Sequence, residues 1–119
     1  MSERFDDFAV LVDVSGADVR LSLSGDIDLA SVAALREALQ HVSDATGGDV
    51  EVDLSQTSFC DSAGLHALLA AQRQLGATGR TMRLVDPPSA VVRLLQLTAT
   101  SELFHVITRE DRRDGPAPR

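Results

Sequence analysis

An aspartate and a serine, Asp61 and Ser62, stand together between a strand-like run and a helix-like run. The strand-like run covers residues 50–54, and the apolar residues after Ser62 recur with a helical period. This order delivers one hydroxyl group to a helix N-terminus, where backbone N–H groups lack partners inside the helix and the dipole is positive. Such a position favours an anion, including a phosphate group carried by the serine itself.

Other roles are open to the same serine. Ser62 could serve only as a helix cap, or Asp61 could cap the helix in its place. His66 lies one helical turn after Ser62, so the two could form a hydrolase pair with the imidazole as base. The Gly-x-Ser-x-Gly elbow of such enzymes is missing and no acid is placed to orient His66. The sequence therefore predicts no catalytic residue and no enzyme.

Two further side-chain types around the serine could carry chemistry. Four aspartates could gather into a magnesium site, because hard cations prefer oxygen ligands: Asp26, Asp28, Asp53 and Asp61. Cys60 directly precedes the Asp61-Ser62 pair, and a lone cysteine is more often a buried small apolar residue than a nucleophile.

Length and composition predict one domain in the cytoplasm. The chain has 119 residues and 44% hydrophobic content, which suits a single core. No apolar run reaches the roughly 18 residues that span a bilayer, so membrane insertion is not expected. The first seven residues are acidic where a signal peptide would be basic, and the single cysteine excludes an internal disulfide framework.

The charge is distributed unevenly along the chain. The net charge of −7 argues against non-specific nucleic-acid binding. Residues 1–62 hold thirteen Asp or Glu against three Arg, whereas residues 63–119 hold five against eight. The acidic half carries the candidate site, so we expect a locally basic partner there, unless the acids serve only solubility.

Apolar periodicity predicts a hairpin followed by alternating helices and strands. The predicted strands cover residues 8–14, 19–24, 50–54, 81–85 and 103–107. Three helices are predicted. The first starts at Leu29 with Asp28 as its N-cap, the second covers residues 62–75, and the third follows Ser89, which would be its N-cap. Residues 25–28 are expected to break the second strand, and residues 55–61 to form a loop. This order predicts an α/β fold, a mixed sheet of four to five strands with amphipathic helices packed on it.

The domain boundaries follow from composition at the two ends. Residues 1–7 form an N-terminal extension and residues 8–108 form the domain. Residues 109–119 are charged and contain two prolines and a glycine, which predicts a disordered tail.

Four motifs in order resemble the STAS family, the anti-sigma factor antagonists. They are Gly25-Asp26-Ile27-Asp28, Val52-Asp53-Leu54, Phe59-Cys60-Asp61-Ser62-Ala63-Gly64-Leu65, and Leu84 to Pro88 followed by residues 92–95 and 103–104. Each motif alone is weak, but all four occur in the family's order and at fitting spacing, and the resemblance extends over roughly residues 8–107. The resemblance implies a STAS fold.

The resemblance also implies a function and a site. The family members bind an anti-sigma factor that is an ATP-dependent serine kinase and so free a sigma factor. Phosphorylation of the serine abolishes binding, and a metal-dependent serine phosphatase restores it. By this resemblance Ser62 is the phosphorylation site, in a partner-binding pocket of Asp26, Asp28, Asp61, Ala63, Gly64 and Leu65.

The same resemblance implies where the metal comes from and leaves one alternative function open. In the family the metal comes with the kinase's ATP, so we predict no intrinsic metal site and no cofactor. The chain is then a bacterial phosphoprotein of transcription regulation and stress response, acting by partner switching. The alternative is a constitutive STAS adaptor subunit of a membrane transporter ATPase, in which Ser62 is not used.

Overall fold

The computed structural model describes residues 3–5, 8–45 and 47–108, which form one sheet with helices packed on it. The strands are β1 (Glu3–Phe5), β2 (Phe8–Ser15), β3 (Asp18–Ile27), β4 (Val50–Cys60), β5 (Met82–Val85) and β6 (His105–Ile107). The helices are α1 (Val32–Ala45), α2 (Ser62–Ala77) and α3 (Ser89–Leu97), with a short 3-10 helix at Ser101–Leu103. None of the described helices is both long enough and apolar enough to cross a membrane.

The strands lie side by side in the order of the chain. β1, β2 and β3 pair antiparallel, and β3 to β6 pair parallel through the three helical crossovers. The predicted α/β fold with a mixed sheet is therefore confirmed. The described sheet has six strands, because Glu3–Phe5, inside the segment expected to be an extension, pairs with β2. The tail predicted for residues 109–119 lies outside the described residues.

The expected strand break at residues 25–28 and the expected loop at residues 55–61 are both wrong. β3 runs to Ile27 and β4 runs to Cys60, and the two stay paired to their ends. Two register shifts each place an extra residue on β4, so Leu54, Thr57 and Cys60 face inward three residues apart. Such bulges hide the two-residue period by which strands are recognised, which is why the sequence pattern resembles a loop.

The core contains side chains of the sheet and of all three helices, with Val91 and Leu95 contributed by α3. The predicted stripe of α1 is buried, namely Val32, Leu35, Leu39 and Val42. On α2, Leu65, Leu68 and Leu75 are buried as expected, with the small residues Ala67 and Ala71 where α1 and α2 pack together. The third helix begins at Ser89 and Pro88 occupies its N-cap without a side-chain hydrogen bond, so the predicted Ser89 cap is wrong.

Candidate phosphorylation and binding site

Asp61 is the residue that caps helix α2. Its backbone is extended, and its carboxylate accepts a hydrogen bond from the Gly64 N–H at 3.1 Å. Its carbonyl oxygen accepts the first intrahelical bond, from the Leu65 N–H at 3.0 Å. Ser62 follows as the first helical residue, with an exposed side chain. Because Asp61 already satisfies the helix end, the Ser62 hydroxyl is not the cap and stands at the positive end of the helix dipole.

Gly64 allows the first turn of α2 to press against the ends of β3 and β4. A Cβ atom at Gly64 would lie 2.5 Å from the Ile27 Cγ2 and 2.9 Å from the Cys60 Sγ, closer than packed atoms approach. The Asp61 N–H also donates to the Ile27 carbonyl oxygen at 3.0 Å. These contacts hold the Asp61-Ser62 pair beside the end of β3, where Asp26 and Asp28 lie.

The chain turns sharply after β3, between Asp28 and Ser31. The Asp28 Oδ1 accepts hydrogen bonds from the Ala30 N–H at 3.0 Å and the Ser31 N–H at 3.2 Å. The buried Ser31 hydroxyl donates to the Asp26 carbonyl oxygen at 2.8 Å and accepts from the Asp28 N–H at 3.0 Å. Asp28 therefore caps a turn, and α1 starts at Val32 instead of Leu29.

Sequence reasoning missed Ser31. The available signal was the spacing of three residues between Asp28 and Ser31, which is typical of reciprocal side-chain and backbone hydrogen bonds at a helix start.

The seven residues predicted for the site lie at different depths. Ser62 and Asp26 are exposed, and Asp28, Asp61 and Ala63 are partly buried. Gly64 and Leu65 are buried, so they support the site from the core side. The exposed and partly buried members lie at the end of β3, in the turn after it and at the start of α2, and the charged ones among them are all aspartates. Partner contact by these residues stays a prediction.

The four aspartates considered for a magnesium site are not brought together. Asp53 is buried on β4, where its Oδ1 accepts a hydrogen bond from the Ser55 N–H at 2.9 Å. Over residues 3–5, 8–45 and 47–108, no three His, Cys, Asp or Glu side chains gather closely enough to hold a metal ion.

His66 lies on a groove between α1 and α2 of about 470 Å³. The residues lining this groove are Arg36, Leu39, Gln40, His66, Ala67, Ala70, Ala71 and Gln74. The residues lining this groove include no Asp or Glu.

Cys60 lies directly beneath the site and is buried. Burial, and to a smaller extent the neighbouring Asp61 carboxylate, together raise the pKa of the Cys60 thiol to about 11. A thiol in this state stays protonated at neutral pH, which fits the predicted role as a small apolar residue.

We expect Cys60 to resist alkylation in the folded chain. At pH 8, iodoacetamide should modify the native protein at least about tenfold more slowly than the urea-unfolded protein, since thiolate is the reactive form. The unfolded thiol has the lower pKa, so the free energy of unfolding should fall as pH rises from 9 towards about 11. Cys60→Ala should lack that fall, and equal alkylation rates in the two states would contradict the expectation.

Removing the cap should weaken α2 without unfolding the domain. Asp61→Ala leaves the Gly64 N–H without its acceptor, and we expect a loss of about 1 kcal/mol in the free energy of unfolding. Asp61→Asn keeps an acceptor at the cap and should lose less. Urea denaturation measures both variants, and equal stability of Asp61→Ala and wild type would show that the cap contributes nothing.

A family model described as "Mlab, STAS domain" matches residues 10–107. The chain belongs to the STAS domain family. The resemblance carried by the four sequence motifs is thereby confirmed. The anti-sigma-B factor antagonist of Bacillus subtilis is 23% identical over 94 residues, which cover 79% of this STAS chain and 85% of that protein.

Solved structures share the fold. The anti-sigma factor antagonist from Mycobacterium paratuberculosis superimposes with a TM-score of 0.78 at 30% identity, covering 89% of this chain and 91% of that one. The Bacillus cell fate determinant SpoIIAA in its phosphorylated form superimposes with a TM-score of 0.67 at 23% identity, covering 88% and 96%. At that identity, the second likeness shows the fold alone.

Proposed function

We propose that this STAS domain is an anti-sigma factor antagonist, a binding module switched by phosphorylation of Ser62. The unphosphorylated chain binds an anti-sigma factor and so releases a sigma factor, and phosphorylation ends the binding. The observation that carries the proposal is that Asp61 caps α2, which leaves the Ser62 hydroxyl exposed on an acidic surface. The names of the B. subtilis and M. paratuberculosis relatives support the same function.

The proposed partners are those that the family resemblance implies. A hydroxyl group needs a phosphate donor, and by that resemblance the anti-sigma factor is itself an ATP-dependent serine kinase, which brings its own metal with the nucleotide. A metal-dependent serine phosphatase reverses the step. The domain itself acts in the cytoplasm as a binding partner and not as an enzyme. SpoIIAA, which has a similar fold, is known in a phosphorylated form, and this supports phosphorylation as the switch.

Electrostatics explains why a phosphate would act on binding and not on the fold. A phosphoserine carries about −1.5 to −2 charges near neutral pH, and the N-terminus of α2 favours that charge by roughly 0.3 to 2 kcal/mol. Asp26, Asp28 and Asp61 oppose it, since two like unit charges roughly 4 Å apart repel by about 4 kcal/mol at an effective dielectric constant near 20. The two terms have opposite signs, and because the Ser62 side chain is exposed, water and salt reduce the repulsion well below that figure, so the net effect on the fold is small.

The same charge acts differently in a complex. A docked partner would have to remove water from the phosphate without the basic groups needed to pair it, because those already face the aspartates. An unpaired charge of this kind weakens an interface by about 2 to 5 kcal/mol. Loss of the partner is therefore the expected effect of the modification.

Affinity capture from the native host tests the proposal. Wild-type, Ser62→Ala and Ser62→Glu chains serve as baits. We expect Ser62→Ala to retain an ATP-binding serine kinase and Ser62→Glu to lose it. Recovery of one partner by all three baits, such as a transporter ATPase, would show a constitutive adaptor and overturn the proposal.

A further inference from the structure

Two large apolar side chains are exposed where β3 and β4 end, next to the aspartates of the candidate site. The side chains of Leu29 and Phe59 are 78% and 48% exposed. Leu29 follows Asp28 in the turn after β3, and Phe59 pairs with Asp26 across the parallel strands β3 and β4. The next residue pair along these strands, Ile27 with Cys60, is buried beneath Gly64 at the start of α2.

Both exposed side chains sit on backbone that is already held in place. The turn carrying Leu29 is fixed by the hydrogen bonds between Asp28 and Ser31 and by the bond from Ser31 to Asp26. Phe59 belongs to a strand paired on β3 to its last residue. An apolar side chain on a fixed support loses little conformational entropy when a partner covers it, which suits it to be an interface anchor.

We propose that Leu29 and Phe59 are the apolar anchors by which the Ser62 surface binds its partner. This rests on the proposed function and adds the chemistry of the partner: basic side chains facing Asp26, Asp28 and Asp61, beside an apolar recess that takes Leu29 and Phe59. Charge complementarity selects that partner, because the half of the chain that carries the site is strongly acidic. Phe59 lies three residues before Ser62, so a partner that buries the anchors would also remove water from a phosphate on Ser62.

The chain offers matched control positions. Leu97 at the end of α3 is 76% exposed, and Leu103 after it is 47% exposed. They equal Leu29 and Phe59 in exposure but lie beyond β5, away from the ends of β3 and β4. If loss of exposed apolar surface weakened binding in general, alanine at any of the four positions would weaken it. If Leu29 and Phe59 are anchors, only alanine at those two positions would do so.

The test is calorimetric titration of the captured anti-sigma factor with unphosphorylated chains. We expect Leu29→Ala and Phe59→Ala each to weaken the Kd by about 10- to 30-fold, and Leu97→Ala and Leu103→Ala to stay within about twofold of wild type. Phe59→Thr serves as a second variant that retains strand propensity if Phe59→Ala folds poorly. Urea unfolding accompanies each titration.

The possible results distinguish failure of the anchors from failure of the proposed function. If binding depends on Ser62 but the Leu29 and Phe59 variants bind within about twofold of wild type, the anchors are overturned and the proposed function stands. Equal weakening by the control variants also overturns the anchors. If the wild-type chain captures no partner in a Ser62-dependent way, both proposals fall together.

Discussion

Ser62→Glu should lose the anti-sigma factor while keeping the stability of wild type. The side chain at position 62 is exposed at the first residue of α2, so a longer acidic side chain meets no packed atoms in the free domain. The helix dipole favours the added charge and the nearby aspartates oppose it, so we expect the free energy of unfolding to change by less than about 0.5 kcal/mol. In the complex the same charge is desolvated and unpaired, and we expect the Kd to weaken by about 100-fold or more.

Size and charge are separated by a matched variant. Ser62→Gln has nearly the shape of Ser62→Glu without its charge, so it should retain most of the affinity if charge drives the switch. Ser62→Ala should bind like wild type and accept no phosphate. Titration calorimetry and urea denaturation measure the four chains side by side. Wild-type affinity in Ser62→Glu, or equal loss in Ser62→Gln, would contradict a charge-driven switch.

Gly64→Ala should destabilise the domain by about 1 to 3 kcal/mol or more. The added methyl group would overlap the Ile27 side chain and the Cys60 sulfur, both buried in the core, so β3, β4 or α2 must shift to admit it. Because the same contact sets the start of α2 beside the end of β3, the shift should also displace the Asp61-Ser62 pair and weaken partner binding.

Gly76→Ala is the matched control on the same helix. A Cβ atom there would meet only the Gln72 Nε2 at 3.9 Å, an ordinary contact, and alanine has the higher helix propensity. We expect Gly76→Ala to raise the free energy of unfolding by about 0.5 to 1 kcal/mol. Opposite signs for the two variants in urea denaturation are the expected result. Loss of equal size at both positions would show that close packing of Gly64 is not the cause.

The parts of the fold that follow from local sequence were predicted. The stripe of α1 and the start of α2 depend on a helical period and a capping residue, both contained in a short window. The extension of β3 and β4 depends on pairing between distant segments. Bulges place Leu54, Thr57 and Cys60 inward at spacings that no local pattern identifies as a strand.

The candidate site also contains residues that local sequence could place and residues that it could not. Asp61 and Ser62 could be placed at a helix start from neighbouring residues alone. The approach of Asp26 and Asp28 to them depends on the register of β3 against β4, and only the family resemblance indicated it. The exposure of Leu29 and Phe59 was not predicted, because apolar residues in a sequence are expected to be buried.

Whether a phosphate on Ser62 controls binding can be measured as the affinity of one partner for the chain before and after phosphorylation. The captured kinase and ATP would be used to modify wild-type chain, with the phosphate located by mass spectrometry and binding measured by titration calorimetry. We expect one phosphate on Ser62, a Kd weakened by about 100-fold or more, and recovery after phosphatase treatment. Unchanged binding by fully Ser62-phosphorylated chain, or continued switching of Ser62→Ala, would contradict this expectation.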